Sequence, residues 1–272
     1  MAYQILGDVH THTMFSRHAY STIAENVAEA QRAGLTFLGS ADHFSDMLFE
    51  EQSVKNFQFF QNVRIWPRQW DDITLLRSCE VDIIGLDGEL FGQGITVSQN
   101  IVGQDFRAPM SLYDFVTRGL DYVVASIHNE DFAHGASLAQ TTEMYIHVLS
   151  EPRVFIIGHP GRSDVPFDLD EVITFARDHH KLIEINEHTL ENPTRKYHGV
   201  CGRIAERCAE LGCGIAVSTD AHICPGIGKF PNVQAMLEEI HFPQELIMNR
   251  TLDVFLAEMA AAGVNDLQRQ LL

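Results

Sequence analysis

Histidine dominates the chemistry open to this chain. Three imidazoles, His10, His12 and His18, fall within the segment GDVHTHTMFSRHAYS near the N-terminus. The 272 residues carry 14 histidines, against 19 lysines and arginines together. Imidazole and carboxylate donors without cysteine suit Zn2+, Mn2+ or Fe2+ and do not choose among them. A single H-x-H is a weak signal, because roughly one arises by chance in a chain this rich in histidine. The elements that carry the pair must decide its meaning.

Short β-branched and aromatic runs alternate with helical patterns. Strands are expected over 3–9, 36–42, 74–84, 120–128, 153–159, 181–187 and 213–222. Helices are expected over 23–34, 110–119, 141–150, 169–180 and 203–212, and two more near 232–241 and 243–262. A loop and a helix fill 44–73, and a hairpin follows Gly85. Strand–helix alternation with short connections gives an α/β class with a mainly parallel sheet. The economical architecture is one distorted (β/α)7 barrel, a single domain over residues 1–272. An open doubly wound sheet is the alternative, but neither a G-x-G-x-x-G nor a P-loop motif supports it.

Against this frame the chemistry-bearing residues fall at one end of the strands. His10 and His12 end the first strand, and His18 follows on its loop. His43 ends the second, Glu80 the third, His128 and His159 the next two, and Asp220 and His222 the last. In a parallel barrel all strand C-termini share one rim, where active sites form. Residues i and i+2 of a strand project to the same face, so His10 with His12, and Asp220 with His222, can reach one centre. Asp8 and Asp42 adjoin these positions and could accept from the far nitrogen of an imidazole. Arg17 and Arg162 lie close in sequence to His18 and His159 and could grip a phosphate. His188 follows a strand on the same rim and is a candidate lining residue. The remaining histidines read as solvated helix faces and loops.

Composition narrows the partners. The formal charge of -18 and a pI near 5.0 repel a phosphate backbone, which disfavours a broad nucleic-acid groove. A local cationic site can still hold a small anion. The chain has no apolar run of about 18 residues or more, so no membrane span is expected. The start MAYQILGDVHTHT lacks the pattern of a signal peptide, which leaves the cytoplasm as the expectation. The five cysteines are odd in number, form no C-x-x-C, and read as reduced thiols. Oligomeric state is open, a homo-oligomer included.

Four ordered motifs, DVHTHT, ADH, the histidines of SIHNE and GHP, and STDAH, make the chain resemble the PHP (polymerase and histidinol phosphatase) superfamily of metal-dependent phosphoesterases. RHAYST, RIWPR and EIN make it most similar to the stand-alone bacterial branch with a trinuclear site. The resemblance covers roughly residues 5–262. It implies the distorted barrel and metal ligands at His10, His12, His18, His43, Glu80, His128, His159, Asp220 and His222. It also implies their division. His10, His12, Glu80 and Asp220 hold one ion, Glu80 bridges to a second with His128 and His159, and His18, His43 and His222 hold the third.

Seven neutral imidazoles, two carboxylates and three divalent ions leave a site charge of about +4, which suits a phosphomonoester dianion. The expected reaction is hydrolysis of a phosphate monoester on a small metabolite. A metal-bridging hydroxide, with its pKa lowered toward ~7, attacks phosphorus in line, and no side chain serves as nucleophile. Two alternatives are a phosphodiesterase or exonuclease on short oligonucleotides, and a non-enzymatic metal-binding module.

Overall fold

The strands form where β-branched and aromatic residues cluster, as pleated, buried surfaces favour. A computed structural model describes residues 3–192, 194, 196–265 and 267. In chain order its strands are β1 (Gly7–Thr11), β2 (Phe37–Ser40), β3 (His43–Phe44), β4 (Gln69–Trp70), β5 (Ile73–Arg77), β6 (Glu80–Asp82), β7 (Thr96–Gln99), β8 (Asp105–Ser111), β9 (Val123–Ser126), β10 (Val154–Ile157), β11 (Leu182–Asn186) and β12 (Ile215–Ser218). Two sheets result, β1-β2-β5-β4 and β12-β11-β10-β9-β6-β3, with β7 and β8 as a separate hairpin. Apart from the β4–β5 and β7–β8 pairs, the ladders are parallel.

The strand expected over 74–84 is broken at Ser78–Cys79, and β2 is parted from β3 at Ala41–Asp42. These breaks lie opposite each other, and at them both segments pass from one sheet to the other. Backbone bonds still cross the gap, from Ser78 N to Ser40 O (2.8 Å) and from Glu80 N to Asp42 O (3.0 Å). At the other flank β12 and β1 meet through one bridge, Thr11 to Ala221. There His12 N donates to Ala221 O at 3.0 Å and Asp220 N to His10 O at 2.9 Å. The described strands are thus two parallel-rich sheets in contact rather than one closed ladder.

Helices cover the outer faces. Ile23–Arg32 starts on a capping box, in which Thr22 and Glu25 satisfy each other's backbone N–H, and it buries Asn26, Val27 and Ala30. Leu138–Ser150 starts on another, made by Ser137 and Gln140. Leu169–Asp178 starts on Asp168 and buries Val172, Ile173 and Ala176. Strands β9, β10, β11 and β12 are buried at every position, as parallel strands packed on both faces must be.

The space between the sheets is filled near the strand N-termini by aromatic rings. Phe155 and Phe255 pack with centroids 5.3 Å apart, and Tyr122 meets Phe255 at 5.6 Å. Phe37 completes the group against Phe255 at 5.7 Å. Gly39 lets this layer close, because a Cβ there would lie 2.0 Å from the Tyr122 hydroxyl and 2.8 Å from Val9 O. The polar side chains are thereby left to the opposite, C-terminal ends of the strands.

Several element bounds differ from the sequence expectation. The final helix spans only Leu252–Ala261, because Thr251 caps it and residues 244–250 form short 3-10 turns after Pro243. The helix expected over 203–212 begins earlier and runs His198–Leu211, ending at the left-handed Gly212. The hairpin pairs Thr96–Gln99 with Asp105–Ser111, while an Ile83–Leu90 bridge closes the turn after Gly85. Among the described residues no helix is long and apolar enough to cross a membrane.

Candidate metal centre

All nine expected ligand residues meet at one end of the sheets, at or just beyond the C-terminal ends of β1, β9, β10 and β12 and, for His43 and Glu80, at the first residues of β3 and β6, where the chain crosses from one sheet to the other. Glu80 is their hub, fully buried. Its Oε2 lies 3.3 Å from His10 Nε2, 3.5 Å from His12 Nε2 and 2.8 Å from His43 Nδ1. Its Oε1 lies 2.7 Å from His159 Nε2 and 3.4 Å from His128 Nε2. Asp220 Oδ1 sits 2.9 Å from His12 Nε2 and 3.8 Å from His10 Nε2. At the mouth, His18 Nε2 is 3.1 Å from His43 Nε2 and 3.0 Å from His222 Nε2, and His43 and His222 are 3.4 Å apart.

Hydrogen bonds account for only part of these approaches, the His159 Nε2–Glu80 Oε1 contact and those among the mouth imidazoles. His10 Nε2, His12 Nε2, His43 Nδ1, Glu80 Oε2, His128 Nε2 and Asp220 Oδ1 are buried without a hydrogen-bond partner among the described residues. Unpaired buried polar atoms are costly, and six at one place demand a reason. Shared cations supply one. A tetrahedral Zn2+ with Zn–N near 2.0–2.1 Å sets its ligand nitrogens about 3.3 Å apart, close to the spacing of the three mouth imidazoles. Three clusters have the donor type and spacing of a metal site: His12, His43 and His222; His10, His12, Glu80 and Asp220; and His43, Glu80 and His128.

Electrostatics prepare most of these groups as ligands. Burial opposes ionisation of Glu80 and Asp220, yet His10 and further cations beside them hold both carboxyls well below their ordinary range. Burial and the neighbouring His43 keep His12 and His18 neutral, and burial likewise lowers His222 despite Asp220. Burial and then Arg162 push His159 down to about 4. His10 and His128 go the other way. Burial lowers them, but Glu80 and other carboxylates raise His10 well above its usual value and His128 to about 10. Two of the converging positions also carry left-handed backbone, His159 (φ 29°) and Asp220 (φ 56°). Such conformations cost about 1–3 kcal/mol and gather at functional sites.

The far nitrogens of four imidazoles are held by other residues, of which the sequence marked only Asp220 and, within the EIN motif, Glu184. Glu184 Oε1 accepts from His10 Nδ1 at 2.8 Å, and Asp82 Oδ1 pairs with His128 Nδ1 at 2.6 Å. Ser16 Oγ lies 2.9 Å from His12 Nδ1 and donates onward to Asp42 Oδ1 at 2.7 Å. His222 Nδ1 meets the backbone oxygen of Asp220 at 2.8 Å. Each contact turns an Nε2 lone pair toward the centre.

Three expectations are corrected. Asp42 reaches an imidazole only through Ser16, because Thr13 N and Thr13 Oγ1, both at 2.8 Å, take up its other capacity. Asp8 holds the chain after β12 instead, accepting from Thr219 Oγ1 (2.5 Å), Thr219 N (3.1 Å) and Gly228 N (3.1 Å). Burial raises its pKa to about 6. Arg17 takes a left-handed backbone (φ 63°), and its guanidinium donates to Leu48 O at 2.7 Å over the Phe49 ring. It therefore lines a neighbouring surface hollow with Glu50 and Glu51 rather than the imidazole cleft.

Arg162 does line that cleft, and its Nη2 donates to Asp220 Oδ2 at 2.7 Å. The cleft measures about 590 Å³, with His18, His43, His128, His188 and Lys229 also on its walls. Elsewhere His147 pairs with Asp87 O, His198 with Leu190 O, and His179 stacks on Phe175.

Fold and site together define an α/β protein with a histidine–carboxylate cluster at the C-terminal ends of parallel strands. The chain belongs to the PHP domain family, whose model matches residues 8–188. It is 32% identical over 253 residues to a probable phosphatase of Caldanaerobacter subterraneus subsp. tengcongensis, covering 93% of this chain and 90% of that one. It is 35% identical over 244 residues to a probable phosphatase of Clostridium botulinum, covering 90% of both. The histidinol phosphate phosphatase of Lactococcus lactis, solved with zinc, L-histidinol and phosphate, shares the fold with a TM-score of 0.53 at 15% identity, over 88% of this chain and 95% of that one.

Proposed function

We propose that the protein is a metal-dependent phosphatase that hydrolyses a phosphate monoester on a small metabolite. The observation that carries this reading is the convergence on one centre of six buried nitrogen and oxygen atoms without a hydrogen-bond partner among the described residues. The names of the curated relatives support the reaction class.

In this reading nine residues hold three divalent ions, Zn2+, Mn2+ or Fe2+. His10, His12, Glu80 and Asp220 form one subsite, Glu80, His128 and His159 the second, and His18, His43 and His222 the third. Seven parallel segments act as staves of a distorted (β/α)7 barrel in one domain, with the Thr11–Ala221 bridge as its seam. Bound divalent ions would supply Lewis acidity toward phosphoryl oxygens and lower the pKa of water to near neutrality.

The chain's own residues do the rest. Glu80 spans two subsites with its two oxygens and fixes their spacing. His18 and His222 face the open side of the cleft and set where a phosphate enters. Arg162, with 22% of its side chain exposed, presents a guanidinium to that phosphate while it orients Asp220. The cleft volume of about 590 Å³ suits a small leaving group. The acidic surface, with a net charge of -18, disfavours oligonucleotide substrates.

The test is hydrolysis of p-nitrophenyl phosphate against its bis-ester by protein reconstituted with each metal. Preference for the monoester is expected. Preference for the bis-ester transfers the reading to a phosphodiesterase, and hydrolysis of neither refutes enzymatic phosphoester cleavage.

A further inference from the structure

A carboxylate on a buried strand is the most connected polar group outside the nine residues above. Glu184 lies on β11 in the run Leu182–Ile183–Glu184–Ile185, with 2% of its surface exposed. Apolar neighbours on both sides make a charge there expensive unless every lone pair is used. Both oxygens are used. Oε1 accepts from His10 Nδ1 at 2.8 Å and from Ser218 Oγ at 2.7 Å. Oε2 accepts from the backbone N–H of His159 at 2.6 Å and from Asn186 Nδ2 at 3.2 Å. The two faces of one carboxylate thus serve residues of two different subsites.

We infer that Glu184 is a positioning residue that couples the two deep metal subsites, holding the His10 ring and the His159 backbone to one common reference. This rests on the proposed function above. Accepting from Nδ1–H locks His10 in the tautomer whose Nε2 lone pair faces Glu80 and Asp220. Accepting from His159 N–H holds the left-handed turn (φ 29°) that swings that imidazole onto Glu80. Glu184's hydrogen bonds go to His10, Ser218, His159 and Asn186 and to none of the mouth imidazoles His18, His43 and His222, so the outer subsite is linked to it only indirectly, through the His43–Glu80 contact.

The chemistry of substitution gives a specific signature. In Glu184→Gln the amide keeps the shape, but one face becomes an NH2 donor. That face meets either His10 Nδ1–H or His159 N–H, and two donors cannot bond each other. The ring then flips its tautomer or the turn relaxes, and through Glu80 the shared geometry loosens at both deep subsites. Loss of such an outer contact typically weakens metal binding about 10–100-fold.

The experiment is a metal-binding titration of wild type, E184Q and E184D, with metal content by elemental analysis and Co2+ absorption as the spectroscopic readout. Thermal unfolding of the metal-free proteins runs in parallel. E184Q is expected to lose affinity about 10–100-fold for two ions together while the third keeps its wild-type affinity. The Co2+ spectrum should change correspondingly, and E184D should recover part of the loss. Should E184Q not fold, the same comparison is made between wild type and E184D. Wild-type affinities at all sites, loss confined to one ion, or equal loss of all three from a folded variant each overturn the coupling. A wild type that binds no ion refutes the underlying functional reading instead, so the two failures are told apart.

Discussion

His18 Nε2 and His222 Nε2 lie 3.0 Å apart although 204 residues separate them in the chain. Both imidazoles are kept neutral, largely by burial. Two rings facing each other through the same type of nitrogen make at best one hydrogen bond, and His43 crowds the same point at 3.1 Å and 3.4 Å. A cation at the centre of the three satisfies every lone pair at once. The fold brings them there by starting β3 at the cleft with His43, by looping the chain after β1, and by turning Asp220 into the left-handed region two residues before His222.

This outer trio is the most exposed part of the centre, so it should exchange first. A chelator titrated into the fully loaded protein is expected to remove one ion before the others. His222→Ala should lower the metal content by one ion per chain and leave the remainder. Elemental analysis after gel filtration checks both, and simultaneous loss of all ions would contradict separable subsites.

The two arginines expected near the site should behave differently. Arg162→Ala is expected to reduce kcat/KM for a phosphomonoester about 10–100-fold with most of the metal retained, as loss of a charge-assisted phosphate contact predicts. Arg17→Ala should leave kcat/KM within about twofold, because its guanidinium is engaged by Leu48 O and Phe49. Steady-state kinetics on the two variants decide. An inert Arg162 or an essential Arg17 would reverse the assignment.

Lys181 gives stability a pH dependence unrelated to the metal centre. Its ammonium is buried beneath β10 and donates to Val154 O at 2.5 Å, and burial lowers its pKa from 10.5 to about 8. Between these values the unfolded chain carries a proton that the folded chain lacks, so Lys181 makes stability rise with pH across that window. Below about pH 8 the lysine is charged in both states, and the cost of burying it is fully present. Lys181→Met should abolish the rise. Urea denaturation of both proteins across the window measures the difference, and parallel curves would refute the shift.

Gly39→Ala is expected to destabilise by about 1–3 kcal/mol, the usual range for overpacking. The new methyl meets the Tyr122 hydroxyl, which donates to Val9 O at 2.5 Å, and it also meets that carbonyl. The denaturation midpoint tests this, and an unchanged value would mean that the aromatic layer is loose.

The nine clustered residues were legible in the sequence because a parallel fold makes their signal periodic. Eight of them stand at or just after the end of an apolar run, with His18 on the loop that follows the first, and i, i+2 pairs share a face. The residues that hold them were not legible, for physical reasons. Ser16 and Asp82 act from positions that read as ordinary loop and strand chemistry. Glu184 did leave a mark, a carboxylate inside the fully buried run Leu182–Asn186, where only a paired charge survives. The break at Ser78–Cys79 was hidden because an apolar run does not show where a strand changes sheet. The short turns over 244–250 have an apolar spacing that mimics a helix, although Pro243 breaks it and Thr251 marks the true start. Adjacency to His18 points Arg17 to the site, but its left-handed backbone turns it away.

The most direct measurement of the central claim is the metal content of wild type and Glu80→Gln after reconstitution and gel filtration. Glu80 touches His10, His12, His43, His128 and His159. The account predicts about three divalent ions per wild-type chain, and loss of the deep ions together with phosphatase activity in the variant. A wild type without bound ions, or a Glu80→Gln protein that retains full metal and full activity, would contradict it.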